Sequence, residues 1–344
     1  MNCERNVNIV HICRKADIVY SKAKIRKADW RINKMAKYIV KRIVMAVITL
    51  FIIASLTFLL MNAVPGSPFM TEKGTTPEQM AMLEKKYGLD KPLPIQLKNY
   101  LVNFLKGDMG TSIKMQKNRP VEQIIMDKLP ISMKVGVWAI IWAVLVGVVL
   151  GCIAAFHRGK TVDSILRIVA TAGVAVPGFV IASILLVVFG VKLAVLPTQG
   201  LDTWQSYLMP CFALGFYPMC YIARLTRSSM LDVINQDYVR TAKAKGLPTR
   251  KIIFKHALRN SLIPVVTYMG PLIAYVLTGG FVVETVFSIP GLGRYFVQSI
   301  LARDYPIIMG TTILLATMLV VMMVVVDVVY KIVDPRIQLG KAGD

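Results

Sequence analysis

Six stretches of this chain run without one Asp, Glu, Lys or Arg: Ile43–Met61, Val135–Phe156, Ile168–Val191, Thr203–Ala223, Ser261–Val283 and Ile307–Val326. Each is long enough, as a helix, to cross roughly 30 Å of hydrocarbon. Inside a bilayer a backbone N–H or C=O finds no water, so every such group must be bonded within its own segment. That condition dictates helices here, because the runs lack the strict alternation of barrel strands. The expected fold class is an all-α integral membrane protein. The fourth run is the weakest, since its apolar part begins only near Tyr207. Six buried helices of a soluble core would rarely occur together, and a mean hydropathy of +0.58 suits lipid as the solvent.

The formal net charge of +22 raises nucleic acid as a partner. Its distribution points to the positive-inside bias instead. The loop Arg224–Arg259 carries nine Lys or Arg against Asp232 and Asp237. Met1–Arg42, Phe156–Arg167 and the tail after Lys331 are basic too, whereas Asn62–Ile131 is nearly balanced. An even number of spans with both termini in the cytoplasm and Asn62–Ile131 outside accounts for the pattern, with lipid and no nucleic acid as partner. Cys3, Cys13, Cys152, Cys211 and Cys220 all avoid the external segment, so no disulfide framework is implied. His11, His157 and His256 are scattered, without metal-ligand spacing.

No catalytic, cofactor-binding or metal-binding constellation is visible. An ion-coupled carrier would place a carboxylate or histidine at mid-membrane. Here Lys134 and Asp327 lie near span ends, and inverted repeats are not evident, which argues against a stand-alone secondary carrier or channel. A membrane-anchored scaffold or sensor would need a soluble output domain, and no inner segment is long enough for one. There is no GxxxxGK[ST] loop, so the chain does not bind ATP by that route, and energy for transport would have to come from a separate subunit. Gly147 and Gly151 form a small-x-x-x-small pair suited to close helix packing. Pro177, Pro210, Pro218, Pro264 and Pro271 interrupt spans three to five and predict kinks along a mobile pathway.

Such a separate subunit needs a place to grip, and Asp237–Pro264 offers one. Asp237 can cap a short helix by accepting a backbone N–H. Gly246 can close it in the left-handed conformation, and Pro248 prevents its continuation. About eight helical residues remain, roughly 12 Å long. Ala242 and Ala244 are small enough for a partner surface to approach the helix backbone.

The stretch Arg240-Thr241-Ala242-Lys243-Ala244-Lys245-Gly246 resembles the Glu-Ala-Ala-x-x-x-Gly loop of ABC importer permeases. Its first two positions depart from the general pattern and match the dipeptide, oligopeptide and nickel branch, with Asp237-Tyr238-Val239-Arg240-Thr241-Ala242. Pro65-Gly66-Ser67-Pro68, Tyr87–Pro94, Gly107–Ser112, Glu284–Gly293, Ala302–Pro306 and Asp334-Pro335-Arg336 are similar to further signatures of that branch, in order. Ser67 stands where the family has Asp. The resemblance spans about Met35 to Arg336.

What the resemblance implies is a six-span permease of the type I ABC importer fold, in a bacterial or archaeal cell membrane. It would supply half of a translocation pathway for peptides, with nickel or another small solute as the alternative. Implied partners are a second homologous permease, two ATPase subunits that carry ATP and Mg, and an extracellular or periplasmic substrate-binding protein. Asp237, Tyr238, Arg240, Thr241, Ala242, Ala244 and Gly246 would couple to the ATPase. Glu284, Pro290, Gly291 and Gly293 are candidates for an external gate or a binding-protein contact. The expected organisation is a dispensable basic extension over 1–34, a first span over 35–62 starting at Met35, and a mainly helical external segment over 63–131. A five-span core over 132–330 with its coupling loop at 224–260 and a cytoplasmic tail over 331–344 complete it.

Overall fold

The computed structural model describes residues 40–63, 78, 81–82, 85, 90–248 and 251–333. The extension over 1–34, the Pro65–Pro68 break and the Asp334-Pro335-Arg336 motif lie outside these residues. Of the helix expected from Thr76 to Gly88, Glu78, Ala81, Met82 and Lys85 are helical and the rest lies outside.

The chain divides between Ile52 and Ile53 into two compact units. The described part of the first is Val40–Ile52, the opening half of helix α1 (Val40–Ala63), whose Val40, Val47 and Phe51 side chains are exposed. The second unit carries the rest. Helix α2 (Leu93–Leu105) precedes α3 (Val121–Phe156), α4 (Thr161–Ala175) and α5 (Gly178–Leu185), which widens into a π turn over Leu186–Lys192. Next come α6 (Leu208–Ile234), α7 (Asp237–Ala244), a π turn over Ile252–Ala257, α8 (Leu258–Ser261) and α9 (Ile263–Gly279). Helices α10 (Phe281–Val286), α11 (Leu292–Ala302) and α12 (Tyr305–Val333) complete the unit. Among the described residues there is no named strand, only one antiparallel bridge between Thr111 and Pro120.

All six apolar runs are helical, with corrected limits. Helix α3 begins at Val121, eleven residues before the span expected from Ser132, because Pro120 ends the preceding loop with the φ of a helix start. At 36 residues it is about 54 Å long and outreaches the hydrocarbon. Helix α6 continues past Ala223 to Ile234, because Thr226 and Met230 remain fully buried after the apolar run has ended. Among the described residues four helices, α1, α3, α6 with its preceding turn, and α12, are each long and apolar enough to cross a membrane. The α4–α5 pair becomes a fifth if taken as one span; it bends by 103° at Val176-Pro177, far more than an ordinary proline kink. Helix α9 has 17 residues and ends at Gly279.

Hydrogen bonds and packing sort the loops to two ends. At one end Ala155, Met230 and Ala257 pack together, and Asp163 binds Arg227. At the other end Ser132 binds the N–H of Leu292, Asp304 binds the Ser112–Met115 loop, and the N–H of Gly200 meets the carbonyl of Phe287 at 3.3 Å. The α4–α5 pair starts at the first end and leads to Gly200 at the second, so despite its bend it connects the two. Helix α9 with α10 does the same from Leu258 to Phe287.

Between the ends, α3 lies directly against α6. A Cβ on Gly147 would sit 2.8 Å from the carbonyl oxygen of Met219, and one on Gly151 would sit 2.6 Å from that of Ala223. Gly215 answers from α6, where a Cβ would lie 2.7 Å from the Ala139 oxygen. The Gly147/Gly151 pair therefore serves packing within the chain. Trp142 completes the seam by donating its indole N–H to the Cys211 carbonyl at 2.6 Å and stacking on Phe212 with centroids 4.9 Å apart.

Candidate functional site

At the end that holds Ala155 and Arg227, α7 projects from the bundle as eight helical residues, the length expected. Its start differs from expectation by one residue. Gln236 is extended at φ −73° and ψ 149° and occupies the N-cap, which puts Asp237 inside the first turn with no side-chain cap bond. The Asp237 carboxylate instead lies 3.8 Å from Arg240, and its charge still favours the helix N-terminus. The other end follows the sequence closely. Gly246 has φ +71°, its N–H donates to the Lys243 carbonyl at 3.0 Å, and the Leu247 N–H donates to the Ala242 carbonyl at 3.3 Å. These two bonds define a Schellman closure, with Leu247 returning to the apolar face beneath the helix.

That face consists of Val239 and Ala242, buried against Ile252, Leu247 and Val233. Ala242 is only 6% exposed, so it does not face a partner as the sequence reading had it. The reason is helical period: residues 239 and 242 share one face, and Val239 needs the core. A small residue at 242 lets α7 lie close to the Ile252 turn of its own chain. Tyr238, Arg240, Thr241, Lys243, Ala244 and Lys245 are exposed, with Asp237 at the helix start. Asn260 donates to the Tyr238 hydroxyl at 2.8 Å, which ties this exposed surface to α8. The result is an amphipathic elbow, fixed below and open above.

The second group of predicted residues lies at the far end and turns inward. Glu284 is 3% exposed, which removes it as a direct contact for a binding protein. Its carboxylate takes the N–H of Arg294 at 3.1 Å and is also bonded by Ser132 and the N–H of Gly293. Ser132 in turn accepts the Leu292 N–H at 2.8 Å. A Cβ on Gly291 would fall 2.5 Å from Glu284 Oε2, and one on Gly293 would fall 3.0 Å from the same oxygen. Both glycines are thus required by the close approach of the carboxylate, and of the four residues only Pro290 is exposed. Burial pushes the Glu284 carboxyl above its ordinary range, while the Ser132 and backbone donors pull it back in part.

Two further carboxylates were not singled out from sequence as site residues. Asp304, fully buried, accepts the Ser112 hydroxyl at 2.6 Å and the N–H groups of Lys114 and Met115, each at 2.9 Å. It joins two of the family-like signatures, Gly107–Ser112 and Ala302–Pro306. Asp163, 1% exposed, takes both arms of Arg227. Its sequence signal was available: it is the one acidic residue in the basic segment Phe156–Arg167.

An apolar helical bundle with a bonded knot at one end and a protruding amphipathic helix at the other defines an integral membrane protein. Residues 147–339 match the family described as binding-protein-dependent transport system inner membrane component, and residues 35–136 match its N-terminal counterpart. The chain is 46% identical over 312 residues to the dipeptide transport system permease protein DppB of Bacillus subtilis (strain 168), covering 90% of this chain and 100% of that protein. It is 42% identical to the oligopeptide transport system permease protein OppB of Haemophilus influenzae, covering 88% and 100%. Among solved structures it resembles the MetNI methionine ABC transporter in inward facing conformations, at 18% identity and a TM-score of 0.46, covering 62% of this chain and 96% of that one. The chain belongs to the binding-protein-dependent transport system inner membrane components.

Proposed function

We propose that this chain is one of two homologous permease subunits of an ATP-driven importer of short peptides. The observation that carries the reading is α7, a short helix anchored on its own chain through Val239 and Ala242 and exposed on its opposite face. An eight-residue helix is too short to persist without such anchoring. Its exposed face is the natural dock for a separate ATPase, and its anchored face passes displacement to α6. The peptide class follows from the dipeptide and oligopeptide permeases to which the chain is similar over their full lengths.

In this reading α7 and both termini lie in the cytoplasm, the side favoured by the Lys and Arg excess of the 224–259 loop. The Glu284 knot and α2 lie outside, where a substrate-binding protein delivers its load. The permease has no chemistry to catalyse. It offers alternating access, a two-state equilibrium biased by its partners. ATP and Mg belong to the ATPase subunits.

Copurification tests the dock. Ala244→Trp places bulk on the exposed face and is expected to release the ATPases with the bundle still inserted. Ala242→Trp is expected to do so by lifting α7 from its own chain. Normal copurification and normal peptide uptake in both variants would remove the reading. For orientation, a cysteine at Lys98 is expected to react with an impermeant label in intact cells and one at Lys243 to be protected; the reverse pattern would invert the topology.

A further inference from the structure

A part-buried ion pair joins α6, which leads into the α7 elbow, to the bent helix pair. Arg227 projects from α6 two turns before its end, and Asp163 is the third residue of α4. Nε of Arg227 donates to one Asp163 oxygen at 2.6 Å and Nη2 to the other at 2.8 Å, a bidentate fork. The Gly159 N–H adds a third bond at 3.0 Å, and Gly159 reaches that position with φ +77°. The carboxylate is thereby held by the α3–α4 turn and by α6 together.

The surroundings give this pair a direction. Val233, near the end of α6, packs both on the Val239–Ala242 face of α7 and on the cluster of Ala155, Met230 and Ala257. So α7 and the end of α6 share one packed unit. The remaining contact between α4 and α6 is made by small or apolar groups: Ala170, Met219 and Cys220 pack together beside Gly173. These contacts are non-directional and carry no bond that sets the orientation of α4 on α6. A planar guanidinium on a carboxylate fixes both angle and register. Beyond Ala175, α4 reaches the 103° bend at Val176-Pro177.

We propose that Asp163 and Arg227 are positioning residues of the transport cycle, whose fork makes α4 move with the α6–α7 unit. Displacement of α7 by its ATPase then reaches the bend at Pro177 instead of being lost as slip between α4 and α6. The inference rests on the reading of α7 as the ATPase dock.

The test uses the complete complex in proteoliposomes, with its binding protein and radiolabelled di-alanine and tri-alanine, measuring peptide moved per ATP hydrolysed. Asp163→Asn and Arg227→Lys are expected to keep the ATPases attached and hydrolysing while that ratio falls about fivefold or more, within the range of coupling energies known for such networks. Lysine supplies the charge without the fork, so normal coupling in Arg227→Lys would overturn the proposal. The exchange of Asp163→Arg with Arg227→Asp is expected to recover part of the ratio. If Asp163→Asn fails to assemble, the double change Asp163→Leu with Arg227→Met keeps the volume without a buried charge; it is expected to assemble and to be uncoupled. An unchanged ratio there, or uptake and hydrolysis falling in parallel in every variant, sinks the positioning role. Failure of the unmodified chain to hold ATPases would instead sink the dock itself.

Discussion

Replacing Gly246 isolates one physical effect at the elbow. The residue has φ +71° and no heavy atom within 4 Å of where a Cβ would stand, so a side chain there meets no steric obstacle. The entire cost is conformational. An L-residue in the left-handed region costs about 1–2 kcal/mol, with asparagine the mildest and a β-branched residue at the upper end. A change of about 1–2 kcal/mol shifts a two-state population by roughly 5- to 30-fold. The Schellman bonds from Gly246 and Leu247 close a helix of eight residues, so a frayed end has no reserve of helix to draw on. Apparent affinity for a partner that needs the closed helix falls in proportion to the closed fraction. ATPase binding, titrated against detergent-solubilised permease, is therefore expected to weaken in the order Gly, Asn, Ala, Val. The Asn variant should lose up to about fivefold and the Val variant up to about 30-fold. Equal binding by Gly246→Val would refute the reasoning. So would Asn binding worse than Val, which would mean that the partner touches the side chain and that backbone strain is not the cause.

Three other outcomes test the α3–α6 seam and the end that holds Glu284. Gly151→Leu drives a side chain into the Ala223 carbonyl and Thr226, and is expected to destabilise the α3–α6 seam by about 1–3 kcal/mol, read as earlier thermal unfolding in detergent. Asp304→Ala removes the acceptor that the Ile113, Lys114 and Met115 N–H groups share, a loss of about 3 kcal/mol, and in the proposed orientation the 106–120 loop should become sensitive to protease added outside; Asp304→Asn, with one carbonyl oxygen left, should be intermediate. Glu284 has its folded pKa raised by burial, so its contribution to stability is fully present below the unfolded pKa and is lost as pH rises through the folded one. Unfolding temperature followed across that range should fall with pH in the parent and flatten in Glu284→Gln, whose side chain stays neutral; identical profiles would exclude Glu284 as the source.

The elbow shows how far local reasoning reaches. A glycine followed by proline after a run of helix formers states where α7 stops, because the left-handed closure and the missing proline N–H are properties of those residues alone. The helix start was less legible: local preference names Asp237 as the cap, and the structure puts Gln236 there. The face that Ala242 presents was misread as well. Small size permits close approach by a partner or by the chain itself, and only the position of Ile252 decides which.

The six helical runs, the absence of a nucleotide loop and the grouping of loops by charge were written in the sequence. A bilayer imposes its conditions on each segment separately, through length, polarity and backbone bonding. The 103° bend, the Ser132–Glu284–Gly291 knot, the Asp304 cradle and the Asp163–Arg227 fork were decided by the tertiary structure. A kink at Pro177 was legible locally but not its size; the knot, the cradle and the fork each join groups far apart in the chain, up to 192 residues for Ser112 and Asp304, and no local rule reports on such pairs. A carboxylate reads alike in sequence whether it faces solvent or holds two helices in register; its energy is set by what the fold places against it.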